Sequence, residues 1–304
     1  MELRNIASFI KVAEFNSFSK AADALGYTQS NVTMQIKQLE KELGTPLFDR
    51  IGKNISLTEN GKRFFRYATE VISSIDYAKQ ALSSCELPFG ELRIGILESL
   101  CITYMPQLIH EYHQSYPEVN TIIRIGTFEE LSAMLYSNSI DLLWTFDHPI
   151  MNEHWVKEFN YPDKISIIAA PTHSLCLSDR VQLCSFVNET FIFTESNCSY
   201  RNAFQNHLAA AKIPITTFME IGNTEIIKRF VTSGLCLSIL PQFTVKNELT
   251  AGLIKVLDIP EFQLTMYGQV FYHKNKWVTP AMKEFISLVQ SHIHRDKNTG
   301  TAIS

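Results

Sequence analysis

The sequence lacks three features that would assign it to a membrane, a secretory route or a metal site. No run of apolar residues reaches the roughly 18 that a membrane-spanning helix needs. Residues 1–5 include acidic and polar side chains where a secretory signal would be apolar. The six cysteines form no CxxC pair and no tight cluster, so neither a zinc site nor a disulfide framework is predicted. These absences favour a cytoplasmic protein.

Patterns typical of enzymes and cofactor-binding proteins are also missing from the sequence. It has no glycine-rich phosphate loop, no nucleophile elbow and no pair of catalytic acids. His110 and His113 share a predicted helix, but no matching acid or thiol lies near them, and the other histidines form no metal-binding pattern. We therefore predict no catalysis, no metal and no cofactor.

The composition is globular and its charge is uneven. Of the 304 residues, 45% are hydrophobic and 19% are charged, which is enough to build about two domains. The formal net charge is −4, yet the first ninety residues carry one more basic than acidic side chain. A near-neutral N-terminal part on an acidic body indicates nucleic-acid binding only where a binding motif accompanies it.

The N-terminal part contains such a motif. The helices predicted from apolar residues at helical spacing are 3–14, 20–25 and 29–43. Ser19 and Thr28 are predicted to cap the second and third helices, and Gly26 and Gly44 to end them. Two helices joined by a short turn with glycine form a helix-turn-helix, whose second helix reads base edges in the major groove of DNA.

The predicted DNA contacts lie on the outward face of the third helix, at the start of the second and in the segment that follows. Residues 46–57 predict two short strands around 52–54, a wing whose basic side chains would meet the sugar-phosphate backbone. The predicted contacts are Ser17, Ser19, Gln29, Ser30, Asn31, Thr33, Met34, Lys37, Arg50 and Lys53. The alternative is a small helical domain with a solvated polar face.

A long amphipathic segment follows the wing. Residues 59–84 predict a helix roughly 39 Å long. Its apolar residues alternate steps of four and three, the pattern of a coiled-coil seam. The seam consists of Phe64, Ala68, Val71, Ile75, Ala78 and Leu82. Its simplest partner is a second copy of the chain, and a twofold dimer would place two recognition helices on a symmetric operator.

A close resemblance to the DNA-binding domain of LysR-type transcriptional regulators runs through this part. It covers, in the family's order and spacing, residues 18–25, 28–33, 36–44, 47–50 and 57–61. The resemblance implies base and phosphate contacts by Gln29, Ser30, Thr33, Lys37 and Arg50. It also implies a homodimer that assembles into a homotetramer and contacts RNA polymerase. Met34 stands where the family often has arginine, which removes one charged contact and leaves the operator preference open at that position.

Beyond a break at residues 87–90, strands and helices alternate, and the alternation restarts once. Strands are predicted over 92–97, 119–125, 140–145, 165–170, 191–194, 217–221 and 235–240, and helices over 104–116, 128–136, 200–211 and 224–232. Such alternation predicts a mainly parallel, doubly wound sheet in two units, with 263–272 and 280–293 returning to the first unit. This part resembles the two-subdomain effector domain of the same family, which is similar to periplasmic solute-binding proteins.

The predicted fold class is therefore α/β, with a winged helix-turn-helix, a long linker helix and a two-subdomain effector domain of the type 2 periplasmic-binding-protein-like kind. The predicted parts are 1–58, the winged helix-turn-helix; 59–87, the linker and dimerisation helix; 88–295, the effector-binding domain, with subdomain I over about 91–161 and 266–295 and subdomain II over about 162–265; and 296–304, a polar tail.

Candidate effector contacts follow from the sheet. In open α/β sheets, small ligands bind beyond the carboxyl ends of the strands. The polar residues predicted there are Ser99, Cys101, Thr103, Thr127, Thr194, Cys198, Arg201 and Asn223. Each of them alone also fits ordinary helix capping or a surface position. The carboxylate of Glu98 would repel a strongly anionic effector unless Arg201 forms an ion pair with Glu98.

Cys198 introduces an alternative function. Residues 197–201 resemble the region in which peroxide-sensing members of the family carry their reactive thiol. A thiol at a helix N-terminus near Arg201 would have a lowered pKa and would be oxidised more easily. The resolving cysteine of those sensors lies nine residues later, where this chain has His207. The alternative is thus a thiol-based redox-sensing regulator.

The leading interpretation is a sequence-specific DNA-binding transcriptional regulator, modulated by a small-molecule effector bound between two α/β subdomains. Its expected partners are double-stranded DNA, the effector, copies of itself and RNA polymerase, with no membrane. A third possibility is a solute-binding or enzymatic α/β protein whose N-terminal part is only a dimerisation module. That protein would need a catalytic set and no reading face on the third helix, whereas the sequence predicts the reverse.

Overall fold

The chain begins with helices and a small wing and continues as an alternation of strands and helices. The computed structural model describes residues 1–51, 54–82, 87–178, 180–187 and 189–300, so that Lys53 and the side chain of Leu82 lie outside the described part. The elements are α1 (Leu3–Phe15), α2 (Phe18–Leu25), α3 (Gln29–Leu43), β1 (Phe48–Ile51), β2 (Asn54–Leu57), α4 (Glu59–Leu82), β3 (Gly90–Ile96), α5 (Glu98–Ser115), β4 (Val119–Ile125), α6 (Phe128–Tyr136), β5 (Leu142–Asp147), β6 (Trp155–Ala169), β7 (Thr190–Phe193), α7 (Ser199–Ala210), β8 (Thr216–Glu220), α8 (Thr224–Thr232), β9 (Leu237–Pro241), α9 (Lys246–Thr250), β10 (Lys255–Val256), β11 (Leu264–His273) and α10 (Pro280–Gly300).

Capping residues set the ends of the helix-turn-helix. Thr28 caps α3 as predicted, because its hydroxyl accepts the backbone N–H of Asn31 at 3.3 Å. Gly26 and Gly44 end α2 and α3 with φ of 67° and 68°, a left-handed conformation that glycine adopts without steric cost. The predicted cap of α2 at Ser19 is wrong. Ser17 Oγ accepts the N–H of Lys20 at 3.3 Å, so α2 begins one residue before Ser19.

Aromatic rings hold the N-terminal helices to the wing and to the long helix α4. The Phe9 ring is fully buried, with centroid distances of 5.3 Å to Phe48 of β1 and 5.1 Å to Phe64 of α4. Ala68 of α4 lies in the same core and is 1% exposed. Phe64 and Ala68, two members of the predicted dimer seam, therefore pack within one chain, because α4 folds back onto α1.

The wing is a two-stranded antiparallel sheet. Strands β1 and β2 pair from Phe48↔Leu57 to Ile51↔Asn54, as the sequence predicts. Thr58 joins the wing to α4, since its hydroxyl donates to the carbonyl oxygen of Pro46 and accepts the N–H of Gly61, both at 2.9 Å. The wing is thus fixed to the start of α4 and lies beside α3.

In the described residues after α4, one mixed sheet of nine strands is packed with helices α5 to α10, in the order β4-β3-β5-β11-β6-β9-β7-β8, with β10 paired to β6. The outer groups, β4-β3-β5 and β9-β7-β8, are parallel, as the predicted two units require. Strands β11 and β6 join them and run antiparallel to their neighbours. The two long central strands connect the halves and explain why the chain crosses between the halves twice.

The C-terminal helix α10 returns to the first half of the sheet. The hydroxyl of Tyr112 on α5 donates to the carbonyl oxygen of Ala281 at 2.8 Å, and its ring meets Phe285 edge to face at 5.4 Å. Helix α10 continues to Gly300, into the segment whose composition marks it as a polar tail. Among the helices described, none combines the length and apolarity that crossing a bilayer requires.

Candidate functional site

Helix α3 buries one face and presents the other to solvent. Val32, Ile36 and Leu39 on the buried face have no exposed surface. The predicted DNA contacts of α3 all lie on the other side: Gln29, Ser30, Met34 and Lys37 are exposed, and Asn31 and Thr33 are half-buried. Met34 is 61% exposed, an apolar side chain at the centre of a polar surface. We call these six residues the reading face.

Hydrogen bonds fix some side chains of the reading face and leave others open. The Ser19 hydroxyl donates to Gln29 Oε1 at 3.1 Å, so α2 orients the first residue of α3. The Thr33 hydroxyl donates to the carbonyl oxygen of Gln29 at 2.8 Å, within its own helix. Ser17 is half-buried and its hydroxyl is engaged as the cap of α2. Gln29 is thus an exposed side chain whose orientation is fixed by a hydrogen bond from the neighbouring helix.

Arg50 stands beside the reading face on the wing. Its guanidinium lies over the Phe18 ring at 4.8 Å, and its Nη2 is 3.6 Å from Glu40 Oε2. The other oxygen of Glu40 accepts the N–H of Leu47 at 2.8 Å, which ties the carboxylate to the start of the wing. The stacking and the ion pair hold a partly exposed cation beside α3.

A cleft of about 460 Å³ lies between the two halves of the large sheet. Its walls are the segments that follow the carboxyl ends of β3, β4, β7 and β8, together with the end of β5. This is the position that the strand-end rule predicts for a ligand. Four of the predicted effector contacts line it: Ser99, Thr127, Thr194 and Cys198.

The other four predicted contacts lie outside the cleft lining. Cys101 is half-buried and packs against the core of the large sheet. Thr103 is exposed, and its hydroxyl donates to the carbonyl oxygen of Ser99 at 2.9 Å. Asn223 caps α8 by accepting the N–H of Ile226 at 2.9 Å. For Asn223 the capping interpretation therefore holds.

Arg201 is the fourth of these, and it is engaged within its own half of the sheet. It is 7% exposed, with Nη1 2.6 Å from Glu220 Oε2 and its guanidinium over the Phe193 ring. The pairing of Arg201 with Glu98, which the sequence left open, does not occur, because Arg201 pairs with Glu220 of β8.

Glu98 instead bridges the two halves of the sheet. Its carboxylate accepts hydrogen bonds from Asn223 Nδ2 at 2.9 Å and from the Thr224 hydroxyl at 3.1 Å. Glu98 begins α5 in the first half, whereas Asn223 and Thr224 begin α8 in the second. Burial raises the pKa of Glu98, and the hydrogen bonds from Thr224 offset only part of that effect. These two hydrogen bonds connect the starts of α5 and α8, and we call them the Glu98 bridge.

Several cleft residues were not anticipated from the sequence. Thr145 of β5 is fully buried, and its hydroxyl has no hydrogen-bond partner in the part of the chain that the structure describes. Asp147 ends β5 and Glu195 follows β7, so the same strand-end rule could have found both. Thr145 lies inside a strand, where apolar neighbours give no sign of a ligand-facing position.

Cys198 has the opposite acid–base character from that expected of a sensor thiol. Burial raises its pKa, even though hydrogen bonds from neighbouring groups act in the other direction. A thiol with a raised pKa carries little thiolate at neutral pH, and thiolate is the species that peroxide oxidises. The redox-sensing alternative is therefore not favoured.

Alkylation tests this conclusion directly. With iodoacetamide at pH 7, we expect Cys198 to react about tenfold or more slowly than the exposed Cys184, because thiolate fraction and access both fall with burial. Mass spectrometry of quenched samples gives both rates. Equal or faster labelling of Cys198 would contradict its assignment as a protonated, shielded thiol.

A helix-turn-helix with an open reading face, joined by a long helix to an α/β domain with a cleft, defines a DNA-binding regulator with a ligand-sensing domain. Residues 3–62 match the family model of bacterial regulatory helix-turn-helix proteins, lysR family, and residues 86–293 match the LysR substrate binding domain. The chain belongs to the LysR family, and it is a transcriptional regulator with a DNA-binding and an effector-binding domain.

Relatives and solved structures agree over nearly the whole length. The chain is 37% identical over 291 residues to the uncharacterized HTH-type transcriptional regulator YwqM of Bacillus subtilis, covering 95% of this chain and 99% of that one. It is similar in fold to a full-length OxyR variant from Pseudomonas aeruginosa, with TM-score 0.75, 19% identity and coverage of 96% and 94%. Full-length CbnR in complex with its target DNA gives TM-score 0.58 at 20% identity, covering 96% of this chain and 99% of that one.

Proposed function

We propose that the chain reads an operator as a homodimer through the reading face of α3, and that it binds its effector in the cleft. We infer that it acts in the cytoplasm beside its DNA, as a regulator rather than an enzyme. The observation that carries the DNA part is the reading face itself: Gln29 is oriented by Ser19, Arg50 is held beside α3, and Lys37 is exposed with no ion pair among the described residues.

The dimer is proposed to form along the exposed side of α4. With Phe64 and Ala68 in the chain's own core, the predicted seam retains Val71 at 39% exposed, the half-buried Ile75 and the exposed Ala78. Tyr67, at 58% exposed, lies one turn before Val71 on the same side. An apolar strip of this kind at coiled-coil spacing is typical of a helix that pairs with its copy.

Effector binding is proposed to act through the Glu98 bridge. A ligand in the cleft would contact the starts of helices from both halves, and its binding would favour one placement of the halves over another. A ligand shifts such an equilibrium only through its difference in affinity for the two placements. In a dimer or tetramer, that shift changes the spacing of the two reading faces and hence contact with the operator or with RNA polymerase.

The DNA-reading proposal is tested by electrophoretic mobility shift with DNA from upstream of the chain's own gene. Gln29→Ala should lower affinity for the preferred sequence by about 5- to 150-fold and change preference at one position, because a base-edge hydrogen bond is worth roughly 1–3 kcal/mol. Arg50→Ala should weaken binding to all sequences alike and reduce the slope of log K against log salt by about one.

The matched control removes one positive charge far from the reading face. Arg124 is exposed on β4 of the effector domain, and Arg124→Ala should leave both affinity and salt slope unchanged. If Gln29→Ala and Arg50→Ala behave like Arg124→Ala while circular dichroism shows all three folded, the reading face is assigned wrongly.

A further inference from the structure

The cleft is lined by acidic side chains. Of its lining residues, five carry a carboxylate, and no lysine, arginine or histidine is among them. The five are Glu98, Glu129, Glu130, Asp147 and Glu195. Within the described ranges, none of them forms a salt bridge with a basic side chain of the protein. Among the residues that the structure describes, no basic side chain therefore balances the negative charge that faces the cleft.

Of the helix N-termini around the cleft, those of α6 and α8 are capped by side chains of the protein, whereas those of α5 and α7 have no side-chain cap. Helix α6 begins with a capping box, in which Thr127 and Glu130 satisfy each other's backbone N–H groups. Helix α8 is capped by Asn223, and Glu98 stands in the first turn of α5. Carboxylates in a first turn offset the positive end of the helix dipole. No side chain caps α7 at Cys198, and both Cys198 and the acidic Glu195 line the cleft.

Glu195 lines the cleft, and its carboxylate lies against Gly222 of the β8–α8 turn. A Cβ added at Gly222 would lie 2.0 Å from Glu195 Oε1, so a larger residue at position 222 would displace this side chain. No hydrogen bond or ion pair to the Glu195 carboxylate occurs within the described part of the chain. Two carboxylates, Glu195 and Glu98, thus face the cleft close enough that Glu195 acts to raise the pKa of Glu98.

Thr145 supplies an independent observation that points to a ligand. Its side chain lines the cleft, yet it is fully buried and its hydroxyl lacks a partner among the described residues. An unpaired buried hydroxyl costs free energy that a hydrogen-bonding ligand would recover. Leu97, Phe128 and Phe146 line the same space with apolar surface. The cleft therefore combines hydroxyl groups, carboxylates and an apolar wall.

The spacing of the acids argues against a metal ion as the ligand. In the part of the chain that the structure describes, no three His, Cys, Asp or Glu side chains are grouped closely enough to hold one. Carboxylates dispersed around an apolar wall instead match a molecule with its charge at the ends and methylene groups between.

We infer that the cleft binds an organic cation, a small aliphatic amine whose ammonium groups pair with Glu195 and Asp147 and hydrogen-bond to Thr145. This inference rests on the proposed function, because it names the ligand class of the proposed effector cleft. An ammonium has only hydrogen-bond donors, and every charged group of the cleft is an acceptor. A dicarboxylate of the same length would meet carboxylates from both halves of the sheet and no basic side chain among the lining residues.

Isothermal titration calorimetry on the full chain tests this assignment. The probes are linear diamines of three to five carbons and the dicarboxylates of the same lengths, at fixed ionic strength. We expect saturable binding of at least one diamine and no binding of the dicarboxylates. Glu195→Gln and Asp147→Asn should each weaken diamine binding by about tenfold, since each removes one charge-assisted hydrogen bond.

Glu261→Gln is the matched control, because Glu261 is exposed outside the cleft lining and the substitution removes the same charge. It should leave diamine binding unchanged. Dicarboxylates that bind as tightly as diamines, an absence of diamine binding, or diamine affinity that survives both cleft substitutions would each overturn the assignment. A mobility shift on the same preparations separates the two proposals: chain that still binds operator but no diamine refutes only the ligand class.

Discussion

Replacing Asp141 by asparagine is expected to lower the free energy of unfolding of the effector domain by about 3–5 kcal/mol. The Asp141 side chain is buried at the start of the first half of the sheet, where Oδ1 lies 2.7 Å from Arg93 Nη2 and 2.6 Å from Lys276 Nζ. Its other oxygen accepts the backbone N–H of Arg93 at 2.7 Å. Asparagine keeps the shape but leaves the buried ammonium of Lys276 and the half-buried guanidinium of Arg93 without their shared anion.

The pH dependence of this effect has a definite sign. Burial alone would raise the pKa of Asp141, but the charges of Lys276 and Arg93 outweigh burial and lower the pKa below its ordinary value. A carboxyl with a lowered pKa in the folded state stabilises the fold fully above its unfolded pKa, about 4, and less as pH falls through the folded value. The difference between wild type and Asp141→Asn should therefore shrink below about pH 4.

Urea unfolding followed by fluorescence measures both quantities. The control is Glu118→Gln, which removes an exposed carboxylate from the same half of the sheet. It should change the free energy of unfolding by less than about 0.5 kcal/mol, as is usual for surface substitutions. If Asp141→Asn lowers the free energy of unfolding no more than the control does, the ion pairs of Asp141 with Arg93 and Lys276 contribute nothing to stability.

Local signals were enough to predict the helix-turn-helix. The bounds of α3 agree with the structure at both ends, because Thr28 and Gly44 carry the cap and stop chemistry within the segment itself. The bounds of α2 were displaced because Ser17 and Ser19 are equally good caps, and only the fold decides which hydroxyl meets a free N–H.

Longer elements of the effector domain depend on contacts that the local pattern does not contain. Helix α5 begins at Glu98, six residues before its predicted start, and accommodates Pro106 within it. Strand β6 extends back to Trp155, although the pattern predicted only its buried end. Its first half alternates in exposure and is held by pairing with β11, which lies about a hundred residues later. This pairing forms only when the sheet assembles, so the sequence of β6 alone does not predict it.

In the candidate site, too, some residues could be predicted from the sequence and others could not. The strand-end rule placed Ser99, Thr127 and Thr194 at the cleft, because topology alone brings the ends of parallel strands together. It placed Arg201 there too, whereas the structure turns this side chain toward Glu220. Which partner a charged side chain takes depends on distances across strands, and no single segment encodes them.

The second large effect is expected from Val71→Glu on the exposed side of α4. Val71 is 39% exposed and lies on the strip that we propose as the dimer interface. The substitution would place two carboxylates, one from each copy, in an apolar contact, where an unpaired charge is strongly unfavourable. Sedimentation velocity should then show a monomer. Operator affinity should fall by about 10²- to 10⁴-fold, since a monomer loses the second half-site.

Met151→Glu is the matched control for this loss, because Met151 is an apolar side chain that is 90% exposed in the effector domain, away from α4. It introduces the same charge and should leave the dimer and operator affinity unchanged. In Val71→Glu, the slope of log K against log salt should also fall by about half, since a monomer loses half of the phosphate contacts. A variant that stays dimeric and keeps the full slope would place the dimer interface on another surface, and Val71 would then belong to a solvated face of α4.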